Sequence, residues 1–153
     1  MRILVATDGS EYSLAAARKA AEFVNFGASS TITVLSVVEP IPPMAPFGVS
    51  DEYYVQAREA STKSAIAAVA ETAKVIEEAL GGGQVEIDTR TGTGKPGEVI
   101  LEEAERLRTD LIIVGSHGRG FWGRMLLGSV SGSIVRHAHC SVLVVRSEVE
   151  NEQ

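Results

Sequence analysis

Two clusters of glycine and serine in the last third of the chain are the residues best suited to bind a ligand. Gly115-Ser116-His117-Gly118 follows an apolar run, and Gly128-Ser129-Val130-Ser131 comes nine residues later. Glycine lets a backbone approach an anion closely, and the first amides of a helix have no partner within that helix. If a helix begins at the second cluster, its amides and the hydroxyls of Ser129 and Ser131 can bind phosphate. The alternative is that these glycines serve only turns and tight packing.

Positive charge is concentrated in the same part of the chain. Between Arg106 and Arg146 there are six arginines and one acid, Asp110, although the net charge of the whole chain is −6. An anionic ligand is therefore expected there, unless these arginines are separate solvated side chains. The overall acidity argues against a nucleic-acid partner, whose binding would be dominated by phosphate contacts.

Asp8 is the carboxylate placed to join such a site, because it ends a short apolar run at residues 2–7. A carboxylate repels bare phosphate, so its better partners are a ribose hydroxyl or a divalent cation that bridges to phosphate oxygens. The alternative is an ordinary turn that the Asp8 side chain closes with Gly9. The chain shows no paired carboxylates, no Ser-His-Asp arrangement and no Gly-x-Ser-x-Gly elbow, so we assign no catalytic residue.

Two other motifs fail on their spacing. Gly92-Thr93-Gly94-Lys95 is similar to part of a Walker A loop, but that loop needs glycine at the position of Thr89 and Ser or Thr at that of Pro96. His137-Ala138-His139-Cys140 offers three metal ligands, too few for a tetrahedral structural site without a second cluster. We interpret it as a helix-end histidine beside a buried cysteine, and expect no metal held by protein side chains alone.

The elements around these motifs alternate between strand and helix. Apolar and β-branched runs predict strands at 2–7, 31–38, 110–115 and 141–146, and alternation predicts another at 85–89. Start and stop signals predict helices from the N-cap Ser10 to before Gly27, and at 51–80, 96–108 and 129–138. This order predicts an α/β fold: one doubly wound parallel sheet with helices on both faces. Ligands of such sheets bind outside the carboxyl ends of the strands, where the winding reverses.

Length and composition are those of one domain. The 153 residues, 44% of them hydrophobic, suit a single domain over 1–146 followed by an acidic tail at 147–153. The longest apolar runs have four residues, against the ~20 needed to span a bilayer, so we expect no membrane partner. The N-terminus has no pattern of a signal peptide, and the single Cys140 cannot form an internal disulfide. We therefore expect a cytoplasmic protein.

The sequence resembles the universal stress protein family over nearly the whole chain. The resemblance lies in residues 3–10, Gly94-Lys95-Pro96, the pattern Gly115-x2-Gly118-x9-Gly128-Ser129, and residues 142–145. That glycine pattern is typical of the family branch that binds ATP. The resemblance implies five parallel strands in the order 3-2-1-4-5, with Asp8 and Gly115 facing each other across the switch point. His139-Cys140-Ser141 departs from the family, which often has prolines there, but this leaves the implied nucleotide site untouched.

The resemblance also implies which residues line that site. The first-strand residues expected near the ribose are Ala6, Thr7 and Asp8, and the backbone of Val37 is expected at the adenine. The ribose and phosphates are expected along Val114, Gly115, Gly118 and Arg119, and the phosphates within Gly128, Ser129, Val130 and Ser131. The implied ligand is ATP, or AMP or ADP, with Mg²⁺ bridged by the phosphates.

The function implied is a stress-response regulatory protein whose bound nucleotide sets a conformation or a partner interaction, with at most slow hydrolysis. One alternative is a true ATPase or phosphotransferase, for which Asp8 and His117 are the candidate bases. Another is a nucleotide-free interaction module that uses Phe121, Trp122 and Met125 as an apolar patch.

A homodimer is expected through the fifth strand, Ser141 to Arg146, because the resemblance places this apolar strand at an edge of the sheet. An exposed edge pairs readily with a second copy, and two antiparallel copies close a two-fold interface. The alternative is a monomer in which the acidic tail, residues 148–152, covers the edge or repels a neighbour.

Overall fold

Strands and helices alternate along the chain as the sequence predicts. The structure, a computed structural model, describes residues 1–24, 30–41, 51–82, 85–118 and 127–146. The elements in these ranges are β1 (Arg2–Ala6), α1 (Glu11–Val24), β2 (Thr31–Val38), α2 (Asp51–Leu80), β3 (Glu86–Thr93), α3 (Pro96–Arg106), β4 (Leu111–Gly115), α4 (Ser129–His137) and β5 (Ser141–Val145).

The five strands form one parallel sheet in the order β3-β2-β1-β4-β5, which confirms the predicted fold class and strand order. β1 and β4 lie at the centre, where Leu4, Val5, Ile112 and Ile113 are completely buried. Because both faces of these strands are covered, their sequences are continuous apolar runs rather than alternating ones. β3 and β5 form the two edges of the sheet.

The helices divide between the two faces of the sheet. In one apolar cluster, Ile3 packs with residues of α1 and with Ile76 of α2. In the other, Leu4 packs with Ile100 of α3 and Ile134 of α4. Consecutive residues of β1 thus enter opposite cores, because successive side chains of a strand point to opposite faces.

The residues predicted to begin α1 and to end α2 have these roles in the structure. Ser10 caps α1, since its Oγ accepts a hydrogen bond from the amide of Ser13 at 3.3 Å. α2 stops at Gly81 and Gly82, whose φ angles of 59° and 93° lie in the region that glycine adopts without a steric penalty. The prediction that α1 ends before Gly27 concerns a residue outside the described ranges.

Strand β3 is longer than predicted. The alternation of apolar residues ends at Thr89, but the strand continues to Thr93 because all eight of its residues pair with β2, from Thr31 to Val38. Pairing with a long neighbour decides the length here, because the apolar alternation ends at Thr89 although Thr91 and Thr93 are β-branched. α3 ends at Arg106, two residues before the predicted position.

Among the helices that the structure describes, none combines the length and the apolar character needed to cross a membrane. Most of the proline-rich segment after Pro40 and the acidic tail at 147–153 lie outside the described residues.

Candidate functional site

A crevice opens at the carboxyl ends of the central strands. β1 lies between β2 and β4, so the direction of winding reverses beside it, which is where ligands of doubly wound sheets bind. The crevice has a volume of about 820 Å³. Of the predicted site residues, those that line it are Ala6, Thr7, Asp8, Val37, Val114, Gly115, Gly118, Gly128, Ser129, Val130 and Ser131. Arg119, the remaining predicted one, lies outside the described residues.

The loop between β1 and α1 holds Asp8 in a fixed position. Oδ1 of Asp8 accepts a hydrogen bond from the amide of Ser10 at 3.0 Å, which is the side-chain turn considered as the alternative for this residue. Gly9 makes the turn possible, with a φ of 75°. The turn does not remove Asp8 from the crevice, because its carboxylate still lines the wall.

Gly118 lies against that carboxylate. A Cβ atom placed on Gly118 would come within 2.7 Å of Oδ2 of Asp8, so any other residue would have to displace the carboxylate. The end of β4 therefore meets the end of β1 here. The resemblance implied that Asp8 and Gly115 face each other, whereas the glycine against Asp8 is Gly118.

Gly115 is needed for packing rather than for a turn. A Cβ atom there would lie 2.7 to 2.9 Å from the backbone carbon, the carbonyl oxygen and the Cβ of Tyr12. Only glycine therefore lets the end of β4 approach the start of α1 so closely. Gly115 also lines the crevice, so tight packing explains why this residue is glycine and leaves its predicted place in the site open.

The start of α4 presents backbone amides to the crevice. Gly128 is its N-cap, makes no side-chain capping bond, and donates its own amide to the carbonyl of Ser116 at 2.8 Å. The first bond within the helix runs from the amide of Gly132 to the carbonyl of Gly128. The amides of residues 129–131 come before it, so they have no acceptor within the helix. Such a helix start attracts anions.

The two serines of this turn have different roles. The Oγ of Ser131 is buried and donates to the carbonyls of Ser116 at 2.9 Å and Gly128 at 3.1 Å. A hydroxyl has one proton, so that of Ser131 is engaged by the backbone and fixes the turn. Ser129 is exposed, and remains the candidate hydroxyl donor to a phosphate.

One wall of the crevice is formed by α2, a helix in which no site residue was predicted from the sequence. The α2 residues that face it are small, namely Ala60, Ser61, Ser64 and Ala65. Their spacing on one helical face was a signal that could have been used, since small side chains leave room beside a helix. The other residues of the lining that were not predicted to bind a ligand are Ser13, Leu35, Ser36, Val38, Glu39, Pro96 and Ile100. His117, a candidate base in the sequence, lines the crevice as well.

His117 is 7% exposed and has structural contacts. Its Nδ1 lies 3.1 Å from the Oγ of Ser116, and its ring meets that of Tyr12 edge-on at a centroid distance of 5.5 Å. These contacts orient the imidazole of His117, which is one of the residues that line the crevice.

The glycines of the Walker-like segment serve the packing of β3 on α3. A Cβ atom at Gly92 or at Gly94 would lie 2.7 or 2.8 Å from a methyl group of Val99, and Gly94 also has a φ of 146°. Lys95 pairs with Glu98 at 3.1 Å. Local packing accounts for this motif, in agreement with the argument from its spacing.

The His137–Cys140 segment contains a helix-end histidine, as predicted. His137 ends α4, and its Nδ1 lies 2.9 Å from the carbonyl oxygen of Ser133. Cys140 is half-buried rather than fully buried, and burial raises the pKa of its thiol. In the described part of the chain, no group of three or more His, Cys, Asp and Glu side chains is arranged to hold a metal ion. The apolar patch considered at Phe121, Trp122 and Met125 lies outside the described residues.

Comparison with known proteins decides the family. The family model for "Universal stress protein family" matches residues 1–146. The chain belongs to the universal stress protein family. A universal stress protein of Methanocaldococcus jannaschii is 33% identical over 150 residues, which cover 95% of this chain and 81% of that protein.

Solved structures of universal stress proteins share the fold. UspA from Lactobacillus plantarum superposes with a TM-score of 0.80 at 25% identity, over 95% of this chain and 97% of that one. A family protein from Arabidopsis thaliana with AMP bound has a TM-score of 0.69 at 24% identity, over 100% and 96% of the two chains. A universal stress protein in complex with cAMP has a TM-score of 0.67 at 23% identity, over 95% and 96%. Two of these structural relatives thus contain a bound adenine nucleotide, AMP in one and cAMP in the other.

Proposed function

We propose that this universal stress protein binds an adenine nucleotide, ATP in particular, in the crevice at the carboxyl ends of β1 and β4. The observation that carries the proposal is the uncapped start of α4, which opens into a crevice of about 820 Å³ opposite Asp8. A pocket of several hundred Å³ suits a ligand of this size. The AMP and cAMP bound by two structural relatives support the choice of an adenine nucleotide.

In the proposed complex the phosphates lie at the start of α4. The amides of Ser129, Val130 and Ser131 lack acceptors within the helix, and the dipole of the helix favours negative charge at this end. The hydroxyl of Ser129 adds a donor. Gly128 lets the ligand approach the backbone, because no side chain stands between them.

The sugar and base occupy the other end of the crevice. Asp8 accepts a hydrogen bond from a ribose hydroxyl, and the polypeptide backbone at Val37 contacts the adenine. A Mg²⁺ ion, when bound, neutralises phosphate charge. The phosphates can supply oxygen ligands that this ion prefers, and it usually keeps several waters.

The nucleotide acts as a switch for conformation or partner binding, with at most slow hydrolysis. The groups of the lining that could accept a proton from an attacking water are Asp8, Glu39 and His117. Asp8 is held by the amide of Ser10, the ring of His117 is buried against Tyr12, and Glu39 is exposed to solvent. We therefore expect turnover well below the ~1 per second of ordinary enzymes.

Replacing Gly128 with valine tests the site. The branched side chain would project from the N-cap into the space of the phosphates, and even a Cβ atom there would lie 3.3 Å from the carbonyl of Ser116. We expect ATP affinity, measured by calorimetry, to fall at least about tenfold. Gly132→Val is the matched control, since a Cβ atom at Gly132 meets nothing closer than 3.8 Å and lies outside the crevice. Equal ATP affinity in Gly128→Val and the wild-type protein would reject the proposed site.

We also propose a homodimer through β5. This strand is an edge of the sheet, and its four apolar residues, 142–145, are all half-buried. The opposite edge, β3, carries Glu86, Asp88 and Arg90, charged residues that discourage pairing with another strand. The contrast between the two edges favours β5 as the place where two copies meet.

A further inference from the structure

Thr72 is a polar residue in the apolar face of α2. The buried residues of this face are Ala65, Ala68, Val69, Thr72 and Ile76, and Thr72 has 0% of its surface exposed. A buried hydroxyl costs free energy unless it is hydrogen-bonded. The hydrogen-bond partner of Thr72 indicates the role of this residue.

The Oγ1 of Thr72 lies 2.8 Å from the Oγ1 of Thr7, at the end of β1. Each hydroxyl has one proton, and this decides which of the two threonines is the donor. Ser13 gives its hydroxyl proton to the carbonyl of Ser10 at 2.8 Å, so the Oγ of Ser13 can only accept from Thr7, at 3.1 Å. The proton of Thr7 is then used, and Thr72 must be the donor to Thr7.

The oxygen of Thr7 consequently has all its bonding positions filled. It donates to Ser13, accepts from Thr72, and accepts from the amide of Gly9 at 3.1 Å. Gly9 directly follows Asp8, whose carboxylate lines the crevice. The hydroxyl of Thr72 therefore fixes, through Thr7, the loop that carries Asp8.

We propose that Thr72 is a positioning residue for the nucleotide site, acting from α2 on the β1–α1 loop through its hydrogen bond to Thr7. The inference rests on the proposed nucleotide binding and goes beyond it, because Thr72 does not line the crevice. The bond also holds two walls of the crevice together, since Ala65 of the same helix face lines it. Loss of the bond lets the loop sample other positions, and the nucleotide must then order it on binding.

Thr72→Val and Thr72→Ser separate positioning from packing. Valine keeps the shape of threonine and removes the donor, whereas serine keeps the donor and removes a buried methyl group. We expect Thr72→Val to weaken ATP and AMP binding, measured by calorimetry, about threefold to tenfold. We expect Thr72→Ser to unfold at a lower temperature and yet bind both nucleotides with nearly wild-type affinity.

Thr109→Val is the control for a destabilised protein. Thr109 is also buried, at 4% exposure, but precedes β4 at the opposite end of the sheet from the crevice. The Thr109→Val variant should bind the nucleotide with unchanged affinity. If Thr72→Val does not fold, Thr72→Ser and Thr72→Ala repeat the comparison, since they differ only in the hydroxyl.

The possible results are distinct. Equal affinity with and without the hydroxyl at position 72 would overturn the positioning role. Affinity that falls in step with thermal stability across all variants, including Thr72→Ser and Thr109→Val, would also overturn it. A wild-type protein that binds neither ATP nor AMP would instead reject the proposed function.

Discussion

Individual glycines in this protein make room for specific neighbours. Gly115 admits the backbone of Tyr12, and Gly118 admits the carboxylate of Asp8. The sequence indicated that these glycines, with Gly128, belong to one site, because their spacing places them after a strand and before a helix. It could not indicate which neighbour each glycine makes room for, because this depends on which atoms the fold brings opposite each one.

At Asp8, a substitution can remove the negative charge of the side chain and keep the geometry of the turn. Asparagine retains an oxygen that can accept from the amide of Ser10, so Asp8→Asn preserves the turn and removes the negative charge. We expect affinity for both AMP and ATP to fall about tenfold, because hydrogen bonds to charged groups are stronger than those to neutral ones. Calorimetry with each nucleotide, with and without Mg²⁺, measures the effect. Wild-type affinity of Asp8→Asn for AMP would rule out the ribose contact.

Among the elements, the edge strand β3 is tied to α3 by a small network of ion pairs. Glu103 of α3 accepts hydrogen bonds from Arg106 and, at 2.9 Å, from Arg90 of β3. The hydrogen bonds from Arg106 are the main cause that lowers the pKa of the Glu103 carboxyl, and Arg90 adds to the effect. The Glu103 side chain is 18% exposed, so solvent screens it less than the arginines.

This network predicts an acid-sensitive contribution to stability. Because the pKa of Glu103 is lower in the folded than in the unfolded protein, its contribution is present above the ordinary glutamate pKa and is lost as the pH falls through the folded value. At pH 7 the free energy of unfolding of Glu103→Gln should therefore be lower than that of the wild-type protein. The difference between these two free energies should narrow below about pH 4. Urea unfolding at several pH values measures this. A difference that is constant with pH would contradict the prediction.

The sequence predicted elements well where burial set a clear pattern, and less well where pairing or packing decided. β2 and α2 have the predicted bounds because β2 is rich in β-branched residues and α2 is rich in alanine and glutamate. Residues 90–93 of β3 are polar or glycine and lack an apolar alternation, and pairing with β2 extends the strand over them. The contact of Thr72 with Thr7 joins residues 65 positions apart, and no local pattern reports it.

For the whole molecule, the unequal edges of the sheet predict how it associates. The carbonyl of Val145 accepts from the amide of Ser116, so the backbone polar groups of Val145 face β4. Because this direction alternates along a strand, the amide of Val144 points outward from the edge. Val144→Pro should remove a donor of the dimer and leave the sheet intact, since proline is tolerated on the open side of an edge strand.

Sedimentation at micromolar concentration should give twice the 16.2 kDa mass of one chain for the wild-type protein and a monomer for Val144→Pro. Ile66→Ser, on an exposed apolar residue of α2, a helix that packs against β2 and β3, should remain a dimer. A wild-type protein that sediments as one chain would disprove the dimer. A Val144→Pro protein that remains dimeric would place the interface elsewhere.

The central claim is that an adenine nucleotide binds at the carboxyl ends of β1 and β4, and an NMR titration of the ¹⁵N-labelled protein with ATP tests it most directly. The largest amide shifts are expected in three separate segments that only the fold brings together, at Asp8 and Gly9, at Val37, and at Ser129 and Val130. Shifts confined to another surface, such as the groove between Arg90 and Arg106, would contradict the claim, as would an unchanged spectrum at millimolar ATP.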